Sequence, residues 1–320
     1  MMLTLAVVLV ACGDSSGTSR FPIIEEVLRT PEERFDDLPD YDFEPHYVEL
    51  GNVRVHYVDE GPRDGVPVVM LHGEPTWSYL YRHVVPLIVE AGHRAIVPDL
   101  VGFGKSDKPA SELDHTYDRH VTWLLGVLQA LQLRNIVLVA HDWGGPIGLR
   151  LAAENPDLFR SLVVTNTFLP LNEGPSIGGV PDFVRSVVES GPVSGVVQAG
   201  SLTALPADVL AAYDAPYPDD TFKGGALAVP HIIKSISEVP VPAEVDAAWD
   251  ALREWIKPVL TAHSVSDPFL GPFDAVFQAE IPGADGQQHV RITEAGHFVQ
   301  EDNSVDLAKA VIDFIAANPL

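Results

Sequence analysis

The chain has 320 residues, 46% of them hydrophobic, with 45 acidic and 20 basic residues and a formal net charge of −25. The length and apolar content predict one globular domain with a large insertion. Because nucleic acids and anionic membrane surfaces repel such a charge, the composition argues against either as a partner.

The first 20 residues are predicted to be a leader and linker. The apolar run "LTLAVVLVA" ends at Cys12, the one cysteine of the chain, and the polar stretch "GDSSGTS" follows. This pattern resembles a lipoprotein signal sequence, which implies export to the periplasm or cell surface and a lipid anchor at Cys12 as the sole membrane contact. No Lys or Arg precedes the run, so a leader on a cytoplasmic protein is the alternative. A single cysteine cannot form an internal disulfide.

Predicted strands and helices alternate over residues 47–169. The strands are near-continuous apolar runs, which is typical of a parallel sheet with helices on both faces. In chain order the elements are the hairpin "HYVELGNVRVHYVDEG", the strand "VPVVMLHG", the helix "RHVVPLIVEAG", the strand "HRAIVPDL", the helix "YDRHVTWLLGVLQALQL", the strand "NIVLVA", the helix "PIGLRLAAENP" and the strand "RSLVVTNTFL".

The alternation stops after residue 169 and resumes near residue 245. The intervening stretch is rich in Pro and Gly, and its predicted helices, "PDFVRSVVES" and "PADVLAAYDA", are not followed by buried strands. We therefore predict a core over residues 21–169 and 245–320, interrupted by an inserted helical cap over residues 170–244.

Polar residues stand at four predicted strand ends. They are the loop "HGEP" (72–75), Asp142 in "AHDWGG", Asp267 in "HSVSDP" and His297 in "EAGHF". The carboxyl ends of parallel strands meet at one edge of a sheet, so these groups should lie close together. The order nucleophile, acid, histidine is that of the α/β-hydrolase triad, in which the strand–turn–helix corner usually carries a serine.

An aspartate at that corner changes the chemistry. Asp142 is ionised at neutral pH and needs no base before it attacks a saturated carbon to form an ester. His297 can then activate the water that hydrolyses the ester, and Asp267 can orient His297. The backbone N–H groups of Glu74 and Trp143 are the predicted oxyanion hole.

Trp143 has a second predicted role. Its indole N–H is a donor on an apolar plane and can stabilise a departing halide. Packing against the cap is the alternative for this side chain.

Five longer motifs contain or accompany these groups: "HGEPTWSYLYR", "VPDLVGFGKSDKP", "AHDWGGPIGLRLA", "YDAPYPD" and "AGHFVQED". At these motifs, and over residues 40–318, the chain resembles the haloalkane dehalogenases. The resemblance implies an α/β-hydrolase fold and hydrolysis of carbon–halogen bonds without cofactor or metal. It also implies a small apolar halogenated substrate, with water as the second reactant. We expect the protein to be a monomer.

Carried over motif by motif, Asp142 is the nucleophile, His297 the base, Asp267 the acid and Trp143 the first halide donor. This chain departs from the family pattern at the second halide donor. One branch of the family has an Asn where this chain has Glu74. The Glu74 side chain is expected to be ionised, and an ionised carboxylate accepts hydrogen bonds but cannot donate one.

The branch with Glu uses a tryptophan of the cap instead. That tryptophan lies in a stretch of the form F-x-x-W, and the matching stretch here, "PDFVRS", has Ser186 in its place. No tryptophan lies in the predicted cap, so the resemblance implies that the Ser186 hydroxyl or a water serves as the second donor. Losing one such donor costs on the order of 2–3 kcal/mol of transition-state stabilisation. The tryptophans are Trp77, Trp123, Trp143, Trp249 and Trp255.

Other functions remain open on the sequence. An epoxide hydrolase shares the Asp–His–Asp triad and uses two cap tyrosines, for which Tyr213 and Tyr217 are candidates. An ester or lactone hydrolase and a non-catalytic binder of small apolar ligands are further alternatives. A fluoroacetate-type dehalogenase is disfavoured because Trp143, not an arginine, follows Asp142.

Overall fold

The computed structural model describes the backbone of residues 7–9 and the whole of residues 21–319. The predicted lipid-anchor residue, Cys12, lies outside these residues. Within the described part of the chain, no helix is long and apolar enough to cross a membrane.

A nine-stranded sheet forms the centre of the described molecule, and two further strands form a separate pair. The strands are β1 (Val7–Leu9), β2 (Val27–Leu28), β3 (His46–Leu50), β4 (Val53–Glu60), β5 (Pro67–Leu71), β6 (Arg94–Pro98), β7 (Lys108–Pro109), β8 (Ile136–Asp142), β9 (Phe159–Thr167), β10 (Val259–Ser264) and β11 (Val290–Ile292). The order in the large sheet is β1-β3-β4-β6-β5-β8-β9-β10-β11. Strand β4 is antiparallel to β3 and β6, and the other neighbouring pairs are parallel. Strands β2 and β7 form the separate antiparallel pair.

The central strands are buried from end to end, as the continuous apolar runs predicted. Every residue of β8 and β10 is buried, and so is nearly every residue of β5 and β9. Burial on both faces removes the alternation that a half-exposed strand would show. The predicted hairpin is confirmed as β3 and β4 around Gly51 and Asn52.

Eleven α-helices of the described chain accompany the sheet. Helix α3 packs against α2 and α8, so α8 belongs to the layer that covers the sheet. The helices are α1 (Val85–Glu90), α2 (Tyr117–Ala130), α3 (Gly144–Glu154), α4 (Val180–Ser190), α5 (Ser194–Gly200), α6 (Ala207–Asp214), α7 (Gly224–Ile236), α8 (Ala243–Arg253), α9 (Phe273–Glu280), α10 (Val299–Asp302) and α11 (Ser304–Ala317).

Helices α4 to α7 lie between β9 and α8, within the predicted cap segment (residues 170–244). Helices α4 and α6 match the two predicted there. Helix α7 was not predicted, because it starts with two glycines and contains Pro230, both of which disfavour a helix locally. Its packing against α4 stabilises it instead.

The cap segment is tied to the core by polar contacts. Arg185 on α4 forms an ion pair with Glu112, and the Trp77 indole donates to the carbonyl of Ala212 at 3.2 Å. Tyr213 on α6 bonds to Glu301, a buried carboxylate that also pairs with Arg82. These contacts hold the cap over the carboxyl edge of the sheet, where the predicted site lies.

Candidate active site

Asp142 stands at the corner between β8 and α3. Its φ is +47°, in the left-handed region that residues other than glycine rarely adopt. Neighbouring loops come close to this corner: a Cβ on Gly73 would lie 2.2 Å from the Asp142 carboxyl, and one on Gly145 would lie 1.7 Å from the Thr167 hydroxyl. Glycine at both positions therefore allows the strained turn to lift the carboxyl group above the sheet.

The carboxyl group of Asp142 is held by backbone donors. The N–H of Glu74 donates to Oδ1 at 2.7 Å, and the N–H of Trp143 also donates to this carboxyl group. These are the two groups predicted to form the oxyanion hole. The Thr167 hydroxyl fixes the turn by donating to the main-chain carbonyl of Asp142 at 2.6 Å.

His297 lies between the two predicted acidic partners. Its Nδ1 is 2.8 Å from Oδ2 of Asp267, and its Nε2 is 3.5 Å from Oδ2 of Asp142. The other oxygen of Asp267 accepts the N–H groups of Phe269 and Leu270, both at 3.0 Å. Asp267 is thus fully used as an acceptor, which fixes the ring so that Nε2 faces Asp142.

The charges of these three groups stabilise one another. Burial lowers the pKa of His297, but the attraction of Asp267 and the hydrogen bonds to both aspartates outweigh it and raise the pKa to about 10. Burial acts in the opposite direction on the acids. The charge of His297 nevertheless holds the pKa of Asp267 well below its usual range and lowers that of Asp142.

Sequence reasoning missed the residues that fix the loop of His297. The Asn166 side chain donates to the carbonyls of Gly296 at 2.9 Å and His297 at 2.8 Å, and accepts the N–H of Ser264 at 2.7 Å. Nε2 of the buried His141 lies 2.9 Å from the same His297 carbonyl. A polar residue at the end of the apolar strand β9 was the signal that could have identified Asn166.

The cap also holds the base. The N–H of His297 donates to the carbonyl of Gly200, at the end of cap helix α5, at 2.7 Å. Asp302 accepts the N–H groups of Gly296, Leu202 and Thr203, so it links the cap to the loop of His297. The position of the base therefore depends on the cap as well as on the sheet.

A cavity of about 410 Å³ opens above Asp142. Three of its lining residues carry polar side chains: Glu74, Asp142 and His297. The others are glycine, proline or apolar residues: Phe168, Ile177, Gly179, Val180, Pro181, Phe183, Val184, Val196, Ala199, Gly200, Pro230, Ile233, Phe269, Leu270 and Phe298.

The prediction that Ser186 replaces the second halide donor is wrong. Ser186 is exposed on α4 and does not line the cavity, whereas Val184 of the same helix does. Two residues along a helix turn the side chain by about 200°, so Ser186 points away from the face that carries Val184.

Trp143 is fully buried, packs against the rings of Tyr117 and His120, and is not among the lining residues. Its indole N–H has no hydrogen-bond partner within the described residues. An unpaired buried donor is costly, which favours a function for this N–H, and its role as a halide donor stays a prediction.

The surroundings of Glu74 disfavour the ionised side chain that the sequence led us to expect. Burial, and next the charge of Asp142, raise the pKa of Glu74 well above its ordinary value. The sequence placed Glu74 in the loop but could not show that its side chain is enclosed.

The tyrosines that an epoxide hydrolase would use do not reach the cavity. The hydroxyl of Tyr213 bonds to Glu301, and neither Tyr213 nor Tyr217 is a lining residue. No group of His, Cys, Asp or Glu side chains in the described part of the chain is placed to hold a metal ion.

Known proteins resemble this chain in sequence and in fold. A family model described as the alpha/beta hydrolase fold matches residues 66–304. The chain is 47% identical over 302 residues to a haloalkane dehalogenase of Psychrobacter cryohalolentis, an alignment that covers 92% of this chain and 99% of the relative. It is 44% identical over 296 residues to a haloalkane dehalogenase of Mycobacterium marinum, covering 90% of this chain and 99% of the relative.

Among solved structures, the tetrameric haloalkane dehalogenase DpaA from Paraglaciecola agarilytica NO2 aligns with a TM-score of 0.79 and 34% identity, covering 91% of this chain and 98% of that one. The fold and the family match therefore define an α/β-hydrolase. The relatives narrow this further: the chain belongs to the haloalkane dehalogenase family, whose members are hydrolases that act on carbon–halide bonds. The predicted fold class and family are confirmed, and the predicted monomeric state stays a prediction.

Proposed function

We propose that the chain hydrolyses small apolar haloalkanes to an alcohol, a halide and a proton, with Asp142 as nucleophile, His297 as base and Asp267 as the group that orients the base. One observation carries the proposal. The N–H of Glu74 donates to Oδ1 of Asp142 at 2.7 Å, while Oδ2 faces His297 at 3.5 Å beside an apolar cavity.

The first step is a displacement at saturated carbon. Oδ2 of Asp142 attacks the carbon as the carbon–halogen bond breaks, and the halide leaves with the electron pair. The product is an alkyl ester of Asp142, whose carbonyl oxygen is Oδ1. The apolar lining keeps water away from the carboxylate, so the nucleophile reaches the carbon poorly solvated.

Ester formation prepares the base for the second step. Asp142 carries no charge once it is an ester. One of the two attractions that raise the pKa of His297 is therefore removed. Burial then favours the neutral imidazole, and its proton is lost to water through the 19% of the side chain that is exposed.

Hydrolysis follows at the ester carbonyl. Nε2 of His297 takes a proton from water as its oxygen attacks Cγ of Asp142, and the N–H groups of Glu74 and Trp143 stabilise the oxyanion on Oδ1. The intermediate collapses when His297 returns that proton to the departing alkoxide, giving the alcohol. The carboxylic acid left on Asp142 passes its proton to His297, which restores the starting pair.

The cavity supports the proposed substrate class. At about 410 Å³ it lies in the range of small-ligand sites. Phe183 and Phe269 line it and are half exposed, so the approach to Asp142 is apolar as well.

Halide release tests this proposal. Incubation with 1,2-dibromoethane or 1-bromobutane should release bromide, Asp142→Asn should abolish the release, and Asp182→Asn, on the exposed side of α4, should not. Diol formation from styrene oxide without bromide from either haloalkane would contradict the proposal and favour an epoxide hydrolase.

We further propose that the first 20 residues export the protein and that Cys12 anchors a monomer to a membrane. The short apolar run that ends at Cys12 supports the anchor. Recovery of the full-length protein from the soluble fraction with an unmodified Cys12 would contradict it, and gel filtration decides the oligomeric state.

A further inference from the structure

Glu74 is a buried carboxyl group with no partner. Its residue is 4% exposed, and neither carboxyl oxygen has a hydrogen-bond partner within the described residues. The side chain lines the cavity beside Asp142. The mechanism above uses only its backbone N–H, so the side chain has no assigned role.

The two neighbouring carboxyl groups differ in how their charge is supported. Asp142 accepts backbone N–H groups and faces His297, whereas neither carboxyl oxygen of Glu74 has a hydrogen-bond partner or an ion pair in the described part of the chain. A carboxylate buried in this way would lose its hydration without compensation. Asp142 therefore keeps the negative charge and Glu74 keeps a proton, in line with the raised pKa of Glu74.

A protonated carboxyl group is a hydrogen-bond donor. Of the three polar side chains that line the cavity, Asp142 is an anion, and the Nε2 of His297 faces Asp142. Glu74 is thus the remaining lining side chain that can donate to an anion, and it adds no negative charge that would repel one.

We propose that the Glu74 side chain, as a neutral carboxylic acid, donates its O–H to the halide that leaves the substrate. It takes the place of a donor from the cap, whose lining residues are all apolar, glycine or proline. The inference rests on the proposed function and deepens it, because it names a side chain that holds the leaving anion.

A matched pair of substitutions tests the donor. Glu74→Gln keeps an N–H donor at nearly the same length, and Glu74→Met keeps the length and removes the donor. Bromide titration followed by quenching of tryptophan fluorescence should show binding about 10- to 100-fold weaker for Glu74→Met than for Glu74→Gln. Glu90→Gln, at the exposed last residue of α1, is the control and should bind bromide as the wild type does. Equal affinities for the Gln and Met variants would overturn the proposal.

Infrared difference spectroscopy tests the protonation state even if a variant does not fold. Adding bromide to the wild-type protein should shift the C=O stretch of a protonated carboxyl group, and that band should be absent from Glu74→Gln. A missing band, or one that does not respond to bromide, would overturn the proposal. Bromide release from 1,2-dibromoethane by the same wild-type preparation tests the proposed function separately. An enzyme that releases bromide from 1,2-dibromoethane but fails the bromide titration and the infrared test would therefore contradict only the role of Glu74.

Discussion

Replacing His297 with glutamine should separate the two steps of the reaction. The wild-type Nδ1 is held 2.8 Å from Asp267, and Nε2 lies 3.5 Å from Asp142. Glutamine is similar in size but cannot take a proton from water. The Glu74 and Trp143 N–H groups still hold Asp142 in the variant, so displacement of the halide should continue.

The expected size of the effect follows from the base alone. Loss of a positioned general base slows the step it serves by about 10²- to 10⁴-fold. This corresponds to about 3–5 kcal/mol on the barrier to ester hydrolysis. Displacement does not use the base, so the alkyl ester of Asp142 should accumulate.

Rapid-quench halide measurement and intact-protein mass spectrometry read out this intermediate. With 1,2-dibromoethane, His297→Gln should release one bromide per active site in a burst and gain the mass of one bromoethyl group. The double substitution with Asp142→Asn should show neither, and His231→Gln, at an exposed histidine of α7, should behave as the wild type does. Steady turnover at the wild-type rate, or a burst without added mass, would refute the covalent mechanism.

Three further substitutions test the site. Asp267→Asn removes the strongest attraction on the His297 imidazolium, whose pKa is raised to about 10 in the wild type. The pKa of His297 should therefore fall, and the ring should deprotonate at lower pH. NMR titration of the ring measures this pKa, and an unchanged value would contradict the prediction. Val184→Trp, on the cavity face of α4, should strengthen bromide binding in fluorescence titrations, and Ser186→Trp should not. Tighter bromide binding by the Ser186 variant than by the Val184 variant would show that the helix face is wrongly assigned. Asn166→Ala removes the acceptor of the buried Ser264 N–H and one donor from the carbonyls of Gly296 and His297. It should therefore lower the free energy of unfolding by about 1–3 kcal/mol and reduce kcat more than KM; unchanged stability and kcat would show that Asn166 does not position His297.

The sequence by itself determined the sheet, the chemistry of the corner and the order of the triad. Strand periodicity and the turn at Asp142 are local properties, because a few neighbouring residues decide whether a segment extends, coils or turns. A carboxylate at the end of a buried strand already implied a nucleophile that needs no activation. The positions of Asp267 and His297 after later strands followed from the rule that strand ends meet.

The tertiary structure decided which side chains face the cavity and which buried groups have partners. Ser186 and Val184 differ by two residues, and only the packing of α4 shows that the cavity lies on the side of Val184. The bond from the N–H of His297 to the carbonyl of Gly200 joins residues far apart in the chain. The state of Glu74 depends on the lack of a hydrogen-bond partner for its carboxyl group in the described structure, because burial without a partner favours the protonated form. Such properties arise from contacts between distant segments, which no local pattern contains.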